Sequence, residues 1–368
     1  MKLKRTISLA SVALVSAFAL VACGSDSNGS GTSSSGAAAA SGDCPKGTLN
    51  ASGSTAQANA MSQWTKDYLG LCPGATVNYN AVGSGQGITD FTNAQTSFAG
   101  SDSPLNADKG EVAAADKRCK TGKAVNLPMV PGPIAVVFNV DGVTDLTFTP
   151  SVLAQIFAGK VTKWNDPAIT ALNSGAKLPD ATILTVHRSD SSGTTDNFTK
   201  YLTAAAASDW TFDHDKVWKA PGGQGAKGSD GVSGAVKSTP NTLAYVEYSF
   251  ATLNNLSVAQ IDNGGGAVKL TPDAVSKAVG AAKVTGTGDD LTLALDYTTT
   301  VAGAYPIILV TYEITCVQGL AADQAALVKG FLGYTSSDAG QAKLTDLGYA
   351  PLPKEIQTQV QAVVAKIS

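Results

Sequence analysis

The sequence carries little charge, almost no histidine and no basic stripe. Only 15% of its 368 residues are Asp, Glu, Lys or Arg, and the net charge is −3. Without clustered Lys and Arg there is nothing to neutralise a phosphodiester backbone, which excludes nucleic acid as a partner. There are two histidines, His187 and His214. No second His or Cys stands at ligand spacing and no Cys-x-x-Cys occurs, so neither a metal nor a cofactor is expected. The Gly-x-Ser-x-Gly elbow is absent. Ser191 and Ser192 follow His187, but neighbours along an extended chain point to opposite faces. No catalytic residue is assigned, and the chain is not expected to be an enzyme. Any anion it binds must be held by local donors and not by an overall positive field.

What is present is a large apolar fraction, 43%, and 38 glycines, which suit a loop-rich α/β protein with enough core for two lobes. The N-terminus reads as a targeting segment. Lys2, Lys4 and Arg5 precede an apolar run, Ile7 to Leu20, that is too short to span a bilayer comfortably. The segment closes on Leu20-Val21-Ala22-Cys23-Gly24, which resembles the lipobox of bacterial lipoproteins. That resemblance implies a signal peptide over 1–22, removed before a lipidated Cys23, and an anchor on the extracytoplasmic face of the cell membrane. Residues 24–43 are nearly all Ser, Gly and Ala. They read, with Cys23, as a flexible tether with a reach of roughly 25 Å. Four cysteines remain, Cys44, Cys72, Cys119 and Cys316. An even number in an exported chain suggests two disulfides with three possible pairings. Cys44–Cys72 with Cys119–Cys316 is favoured, the first pair pinning the tether to the far end of the first helix.

Along the chain, strand–loop–helix units recur, and a mostly parallel α/β sheet is expected. Gly47–Ala51 leads through Ser52-Gly53-Ser54-Thr55 into a helical stripe, 56–71. Ala75–Val82 leads through Gly83-Ser84-Gly85 into another, and Ser97–Gly100 delivers Asp102. Residues 126–139 and 305–315 read as long buried strands, and helices over 321–332 and 337–347 finish the chain. The densest loop is His187-Arg188-Ser189-Asp190-Ser191-Ser192-Gly193-Thr194-Thr195, between a buried strand (181–186) and a helix beginning near Asp196. Backbone N–H groups at a helix N-terminus, hydroxyls and a guanidinium fork together suit a tetrahedral oxyanion. Ligands of such sheets sit beyond the strands' carboxyl ends. Gly223-Gln-Gly225-Ala-Lys-Gly228 matches the dinucleotide fingerprint in letters only, since no good strand precedes it, and reads as a surface loop. Trp164 and Trp210 read as packing residues.

The series Ser52-Gly53-Ser54-Thr55, Gly83-Ser84-Gly85, Gly100-Ser101-Asp102-Ser103-Pro104-Leu105 and Arg188-Ser-Asp190-Ser-Ser192-Gly193-Thr194 resembles the substrate-binding protein of the phosphate-specific ABC importer. Val161-Thr-Lys-Trp164-Asn-Asp166-Pro and Thr242-Leu-Ala-Tyr-Val-Glu-Tyr248 add to the match, which spans about 47–355. The resemblance implies a two-lobed periplasmic-binding-protein-like (type II) fold with two hinge-crossing strands. Lobe 1 would be 44–138 plus 306–368 and lobe 2 would be 139–305. It implies that Ser54, Thr55, Ala56 and Ser84 donate to phosphate from lobe 1 and Ser192, Gly193 and Thr194 from lobe 2. Arg188 would pair with the anion, held by Asp190, and Asp102 would accept a hydrogen bond from the proton the anion carries. Phosphate near neutral pH carries a proton and sulfate does not, so a buried acceptor rejects sulfate by being left unpaired. The implied partners are inorganic phosphate and ABC permease subunits with a cytoplasmic ATPase, and the chain is expected to act as a monomer. The rival readings are a binder of another oxyanion, such as sulfate or molybdate, and a secreted phosphatase.

Overall fold

The computed structural model describes residues 44–368, so the expected signal segment, Cys23 and the tether lie outside the described residues. The chain opens with three strand–helix units. These are β1 (Gly47–Gly53) with α1 (Ala58–Leu71), β2 (Ala75–Ala81) with α2 (Ser84–Thr92), and β3 (Phe98–Ser101) with α3 (Glu111–Arg118). The long β4 (Ala124–Asn139) follows, then β5 (Thr147–Phe148), α4 (Pro150–Phe157) and α5 (Pro167–Thr170). Next come β6 (Leu184–Arg188) with α6 (Gly193–Ala205), β7 (Gln224–Ala226) with α7 (Gly228–Ser238), and β8 (Thr242–Glu247) with α8 (Tyr248–Leu253). Short strands β9 (Ser257–Val258), β10 (Gln260–Asp262) and β11 (Ala267–Val268) precede α9 (Pro272–Gly280), β12 (Lys283–Val284) and β13 (Leu293–Ala294). The chain returns through β14 (Ile308–Cys316) and closes with α10 (Ala322–Thr335), α11 (Asp338–Ala342) and α12 (Lys354–Val364).

The main sheet runs β2-β1-β3-β14-β4-β8-β6-β7, with β9 also on β4. It is mixed and not mostly parallel. The flanking sets β2-β1-β3 and β8-β6-β7 are parallel, while β14 is antiparallel to both β3 and β4, and β4 to β8. The reason is topological, because the chain leaves one lobe along β4 and comes back along β14, so the two crossing strands run in opposite directions. β4 survives three prolines: Pro128 and Pro131 lie opposite Tyr312 and Val310 across a bulge at Thr311/Tyr312, and Pro133 lies opposite Ile308.

Two hydrophobic cores flank this pair. One gathers Trp64, Phe91, Phe98, Leu127, Ile314, Phe331 and Val360. The other gathers Val136, Phe148, Phe157, Phe198, Tyr245 and Tyr305. Along β4 the packing changes core between Val130 and Ile134, and along β14 between Leu309 and Val310. Those points lie a few residues from the expected boundaries at 138/139 and 305/306, because the strands are continuous and leave no break in the sequence pattern. The helices form where an apolar stripe meets a core; α1 buries Ala60, Met61, Trp64 and Tyr68 on one face. Both favoured disulfides are formed, Cys44–Cys72 and Cys119–Cys316.

Several expected elements shift. Residues 181–183 pair with the segment around Trp164, through Trp164 N to Ala181 O (3.0 Å) and Ile183 N to Thr162 O (2.8 Å). The expected buried strand therefore starts later, at Leu184, which is 45% exposed, and runs on to include His187 and Arg188. α6 begins at Gly193 and not at Asp196, so the glycine and Thr194 are the helix's first turn. The chain ends on α12, a helix the sequence reading did not separate. The fingerprint-like Gly223–Gly228 is no surface loop: Gln224–Ala226 is strand β7, in parallel register with Val186–Arg188, and Gly228 opens α7. Gly222, Gly223 and Gly228 take positive φ there, which is what the glycines are for.

Candidate functional site

Six chain segments meet where β1, β2, β3, β6, β7 and β8 end. Ser54 and Thr55 follow β1, Ser84 begins α2, Asp102 follows β3, Arg188 ends β6, Gly193 begins α6, Ser229 sits in the first turn of α7, and Glu247 ends β8. Three helix N-termini, those of α2, α6 and α7, thus bring here the first-turn N–H groups that have no partner within their own helix. The polar residues Ser54, Thr55, Ser84, Asp102, Arg188, Ser192, Thr194, Ser229 and Glu247 are all buried. Two carboxylates organise them.

The first carboxylate is Asp102. It accepts from the hydroxyls of Ser54 (2.5 Å), Thr311 (2.7 Å) and Ser84 (3.2 Å). The Ser84 Oγ in turn accepts from the backbone N–H of Asp102 (3.1 Å) and from that of Gly193 (3.2 Å), so it joins the two lobes. Burial, and then the charge of Glu247, push the Asp102 carboxyl up to about 6, against the opposing pull of Ser54, Thr311 and Arg188. Its side chain does not cap its own loop; it faces the lobe boundary.

The second carboxylate is Glu247, which sequence reasoning left inside a family motif without a role. It accepts from Thr194 Oγ1 and from Ser229 Oγ (2.6 Å). The Ser229 Oγ lies 2.7 Å from Thr55 Oγ1, and the Ser229 N–H donates to the same Thr55 oxygen (3.3 Å). Thr55 therefore bridges to the start of α7, across the lobe boundary. A signal for Ser229 existed in the Gly228-Ser229 pair ahead of an apolar stripe, but the missed strand β7 hid it. Thr311, mid-strand in an apolar run, gave no signal at all.

Arg188 is fixed by Asp190 through both Nε to Oδ1 (2.7 Å) and Nη2 to Oδ2 (2.5 Å). Asp190 also accepts from the Gly228 N–H (3.1 Å). Burial alone would depress the guanidinium, yet Asp190 more than compensates, and the Arg188 pKa is raised. The Asp190 carboxyl, which burial would raise, is held below the ordinary range by Arg188. Its Nη1 is turned to Thr194 Oγ1 (3.4 Å). The fork is thus oriented into the cluster by a bidentate pair.

The remaining expected donors are arranged locally. The Ala56 N–H donates to Ser54 Oγ (3.0 Å), and Ser192 Oγ caps α6 by accepting from the Thr195 N–H (3.2 Å). The Ser192 hydroxyl proton stays free to donate in another direction. His187 stacks on Trp218 (centroids 5.0 Å apart, 9° between planes) and its Nδ1 lies 3.0 Å from the Arg188 carbonyl. Trp164 and Trp210 are buried in the second core.

Glycines let the lobes meet. A Cβ on Gly193 would lie 2.6 Å from both Asp102 Cβ and Ser84 Oγ. One on Gly85 would lie 2.0 Å from Ser191 Oγ, and the Gly85 N–H donates to the Ser191 carbonyl (3.0 Å). Beyond the site the same boundary carries Ser103 Oγ to Asp196 Oδ2 (2.5 Å), Lys109 to Asp215 (2.8 Å) and Lys216 to Glu111 (2.8 Å). Among the described residues no group of three His, Cys, Asp or Glu could hold a metal, and no helix is long and apolar enough to cross a membrane.

Two lobes joined by crossing strands, with buried hydroxyls, a guanidinium and helix N-termini converging between them, are the architecture of a solute-binding protein. The PBP superfamily domain matches residues 38–339. More narrowly, the chain belongs to the PstS family of phosphate-binding proteins: it is 45% identical over 374 residues to phosphate-binding protein PstS 3 of Mycobacterium tuberculosis (strain H37Rv), with 100% of each chain covered. It is 41% identical over 375 residues to phosphate-binding protein PstS 2 of the same strain, again with 100% of both covered. Among solved structures, a high-affinity periplasmic phosphate-binding protein (PfluDING) bound with phosphate superposes with a TM-score of 0.70. It covers 86% of this chain and 93% of that one at 24% identity, a likeness of fold.

Proposed function

We propose that the protein binds inorganic phosphate between its two lobes, outside the cytoplasm, and delivers it to an ABC importer in the membrane. The observation that carries this reading is the pairing of Arg188, a fixed and oriented cation, with Asp102, a buried acceptor, among three helix N-termini. Arg188 supplies charge for any oxyanion. Asp102 can exchange one of its hydroxyl donors for the proton of an oxyanion, which a fully ionised oxyanion lacks. The kinship with proteins named phosphate-binding supports the same ligand. In this reading Ser54, Thr55, Ala56, Ser84, Ser192, Gly193 and Thr194 turn their donors to the anion. Their present partners, largely one another, are exchanged for phosphate oxygens. Ser229 and Glu247 join the set from the second lobe. The lobes are 44–138 plus 306–368 and 139–305, with the exchange of core inside the two crossing strands. Cys23 carries the lipid anchor, the folded part works as a monomer on a permease with a cytoplasmic ATPase, and the protein turns nothing over.

Calorimetric titration of phosphate-stripped protein with phosphate, sulfate and a phosphate monoester tests the reading. Phosphate alone is expected to bind tightly. Arg188→Ala, which also strands Asp190, is expected to cost about 2–5 kcal/mol of binding. Sulfate binding as tight as phosphate, or turnover of the monoester that a site substitution abolishes, would overturn the proposal.

A further inference from the structure

Behind the Ser54–Thr55 loop lies a third buried carboxyl group that the site above does not use. Glu313 is 1% exposed in the middle of β14, opposite Gly100 of β3 and Leu127 of β4. Neither of its oxygens has a hydrogen-bond partner, and neither does the Oε1 of Gln57, whose amide lies against it. Buried acceptors on neighbouring side chains, none of them with a donor, are satisfied together when the carboxyl carries a proton. The other end of the Gln57 amide is committed. Its Nε2 donates to Tyr79 Oη (3.1 Å), and the Tyr79 hydroxyl donates to the Ser54 carbonyl (2.8 Å). Reversing the amide would force Tyr79 to donate to Gln57 and would abandon the Ser54 carbonyl. Gly100 makes the room, since a Cβ there would lie 2.2 Å from Gln57 Nε2 and 2.5 Å from Tyr79 Oη.

We propose that Glu313 is held as a neutral acid whose proton is donated to Gln57 Oε1, and that the chain Glu313–Gln57–Tyr79–Ser54 positions the loop that binds phosphate. Glu313 is a positioning residue, and its role rests on the phosphate-binding reading. The surroundings favour the neutral form. Burial first, then the charge of Asp102, raise the Glu313 carboxyl to about 8. An amide N–H donated from Gln57 would lower it, but neither Glu313 oxygen receives a hydrogen bond. The titratable groups facing it are Tyr79 from β2 and Asp102 from the end of β3, with Tyr349 beyond Tyr79. Gly100 and Leu127, its strand partners, carry none. The sign follows: a pKa raised from 4.5 to about 8 keeps the proton at neutral pH and loses it as pH rises through about 8. Ionisation would then place a second buried negative charge near Asp102, remove the donor from Gln57 and release the loop.

The test compares wild type and Glu313→Gln across pH 6–9.5, with phosphate affinity read by calorimetry and the protonated carboxyl C=O band read by difference infrared spectroscopy. The Gln side chain can still donate to Gln57, so its affinity at pH 7 is expected within about twofold of wild type. Wild type is expected to lose about tenfold more affinity than E313Q between pH 7 and pH 9, the slope of one lost proton. Comparing the two proteins at each pH cancels the titration of phosphate itself. The C=O band is expected in wild type at pH 7 and absent from E313Q. Tyr79→Phe keeps the acid and cuts the relay; it should weaken binding at pH 7 and keep the band. An identical alkaline loss in E313Q, or no band assignable to Glu313, would overturn the proposal. A wild-type protein that shows the band but binds no phosphate would instead sink the phosphate reading alone.

Discussion

On the proposed reading, Asp102 separates anions by what they can donate. It already accepts three hydroxyls, and Arg188 lies close enough to draw its pKa down. A phosphate that keeps a proton can replace one of these donors, whereas sulfate would set charge against charge. Because burial lifts the carboxyl to about 6, the accepting form prevails above that pH and is lost below it. The preference for phosphate over sulfate should therefore shrink as pH falls from 7.5 to 5. Asp102→Asn should narrow the preference at pH 7.5, on the order of a hundredfold, and should be flat over that range. Competition calorimetry at both pH values checks this, and a wild-type preference unchanged at pH 5 would remove Asp102 from the role. At this scale the sequence was informative where a residue stood in a strand-to-helix loop, as Asp102, Arg188 and Thr194 do. It was silent on Thr311 and Glu313, because a polar residue inside an apolar strand carries no periodic signal that says which neighbour it will meet.

The elements that matter are helix starts. α2, α6 and α7 each begin at a glycine or serine just past a strand, so each N-terminus can approach the opposite lobe with no large side chain in between. Gly193 is the tightest case, with Asp102 and Ser84 both 2.6 Å from an added Cβ. Gly193→Ala should leave each lobe folded, because the clash arises only where the lobes meet. It should weaken phosphate binding by about 1–3 kcal/mol, the usual cost of overpacking. Thermal unfolding without phosphate, expected unchanged, and titration with phosphate check the two halves of that statement. Ser/Thr/Gly clusters ahead of apolar stripes marked the loops from which helices start, but the first turn of α6 was read as loop up to Asp196 and the start of α7 was missed. Strand limits were not readable, because residues 181–183 spend their backbone bonds on the segment around Trp164, a partner far away in sequence.

Across the whole molecule, two cores share one sheet, and covalent links hold the first core together. Cys119–Cys316 joins the end of α3 to the end of β14, 197 residues apart, while Cys44–Cys72 closes only 28. The chain-entropy relation makes the long link worth about 2 kcal/mol more than the short one. Replacing Cys119 and Cys316 by Ser should therefore lower urea stability more than replacing Cys44 and Cys72. Denaturation of both double variants without phosphate checks the order, and a reversed order would mean that strain in the folded state outweighs chain entropy.

The sequence by itself determined the alternation of strands, hydroxyl-rich loops and helices, since apolar periodicity and turn residues are local properties. It supplied the candidate donors and the single fixed cation of the loop, and it determined the family and with it the class of ligand. Tertiary structure alone decided which donors face each other. It put Ser229 on Thr55, Glu247 under Thr194, and Thr311 on Asp102, and it made the sheet mixed by sending the chain out along β4 and back along β14. The physical reason is that hydrogen bonds between residues 53 to 209 positions apart depend on strand register and lobe approach. Neither quantity is written in any window of the chain.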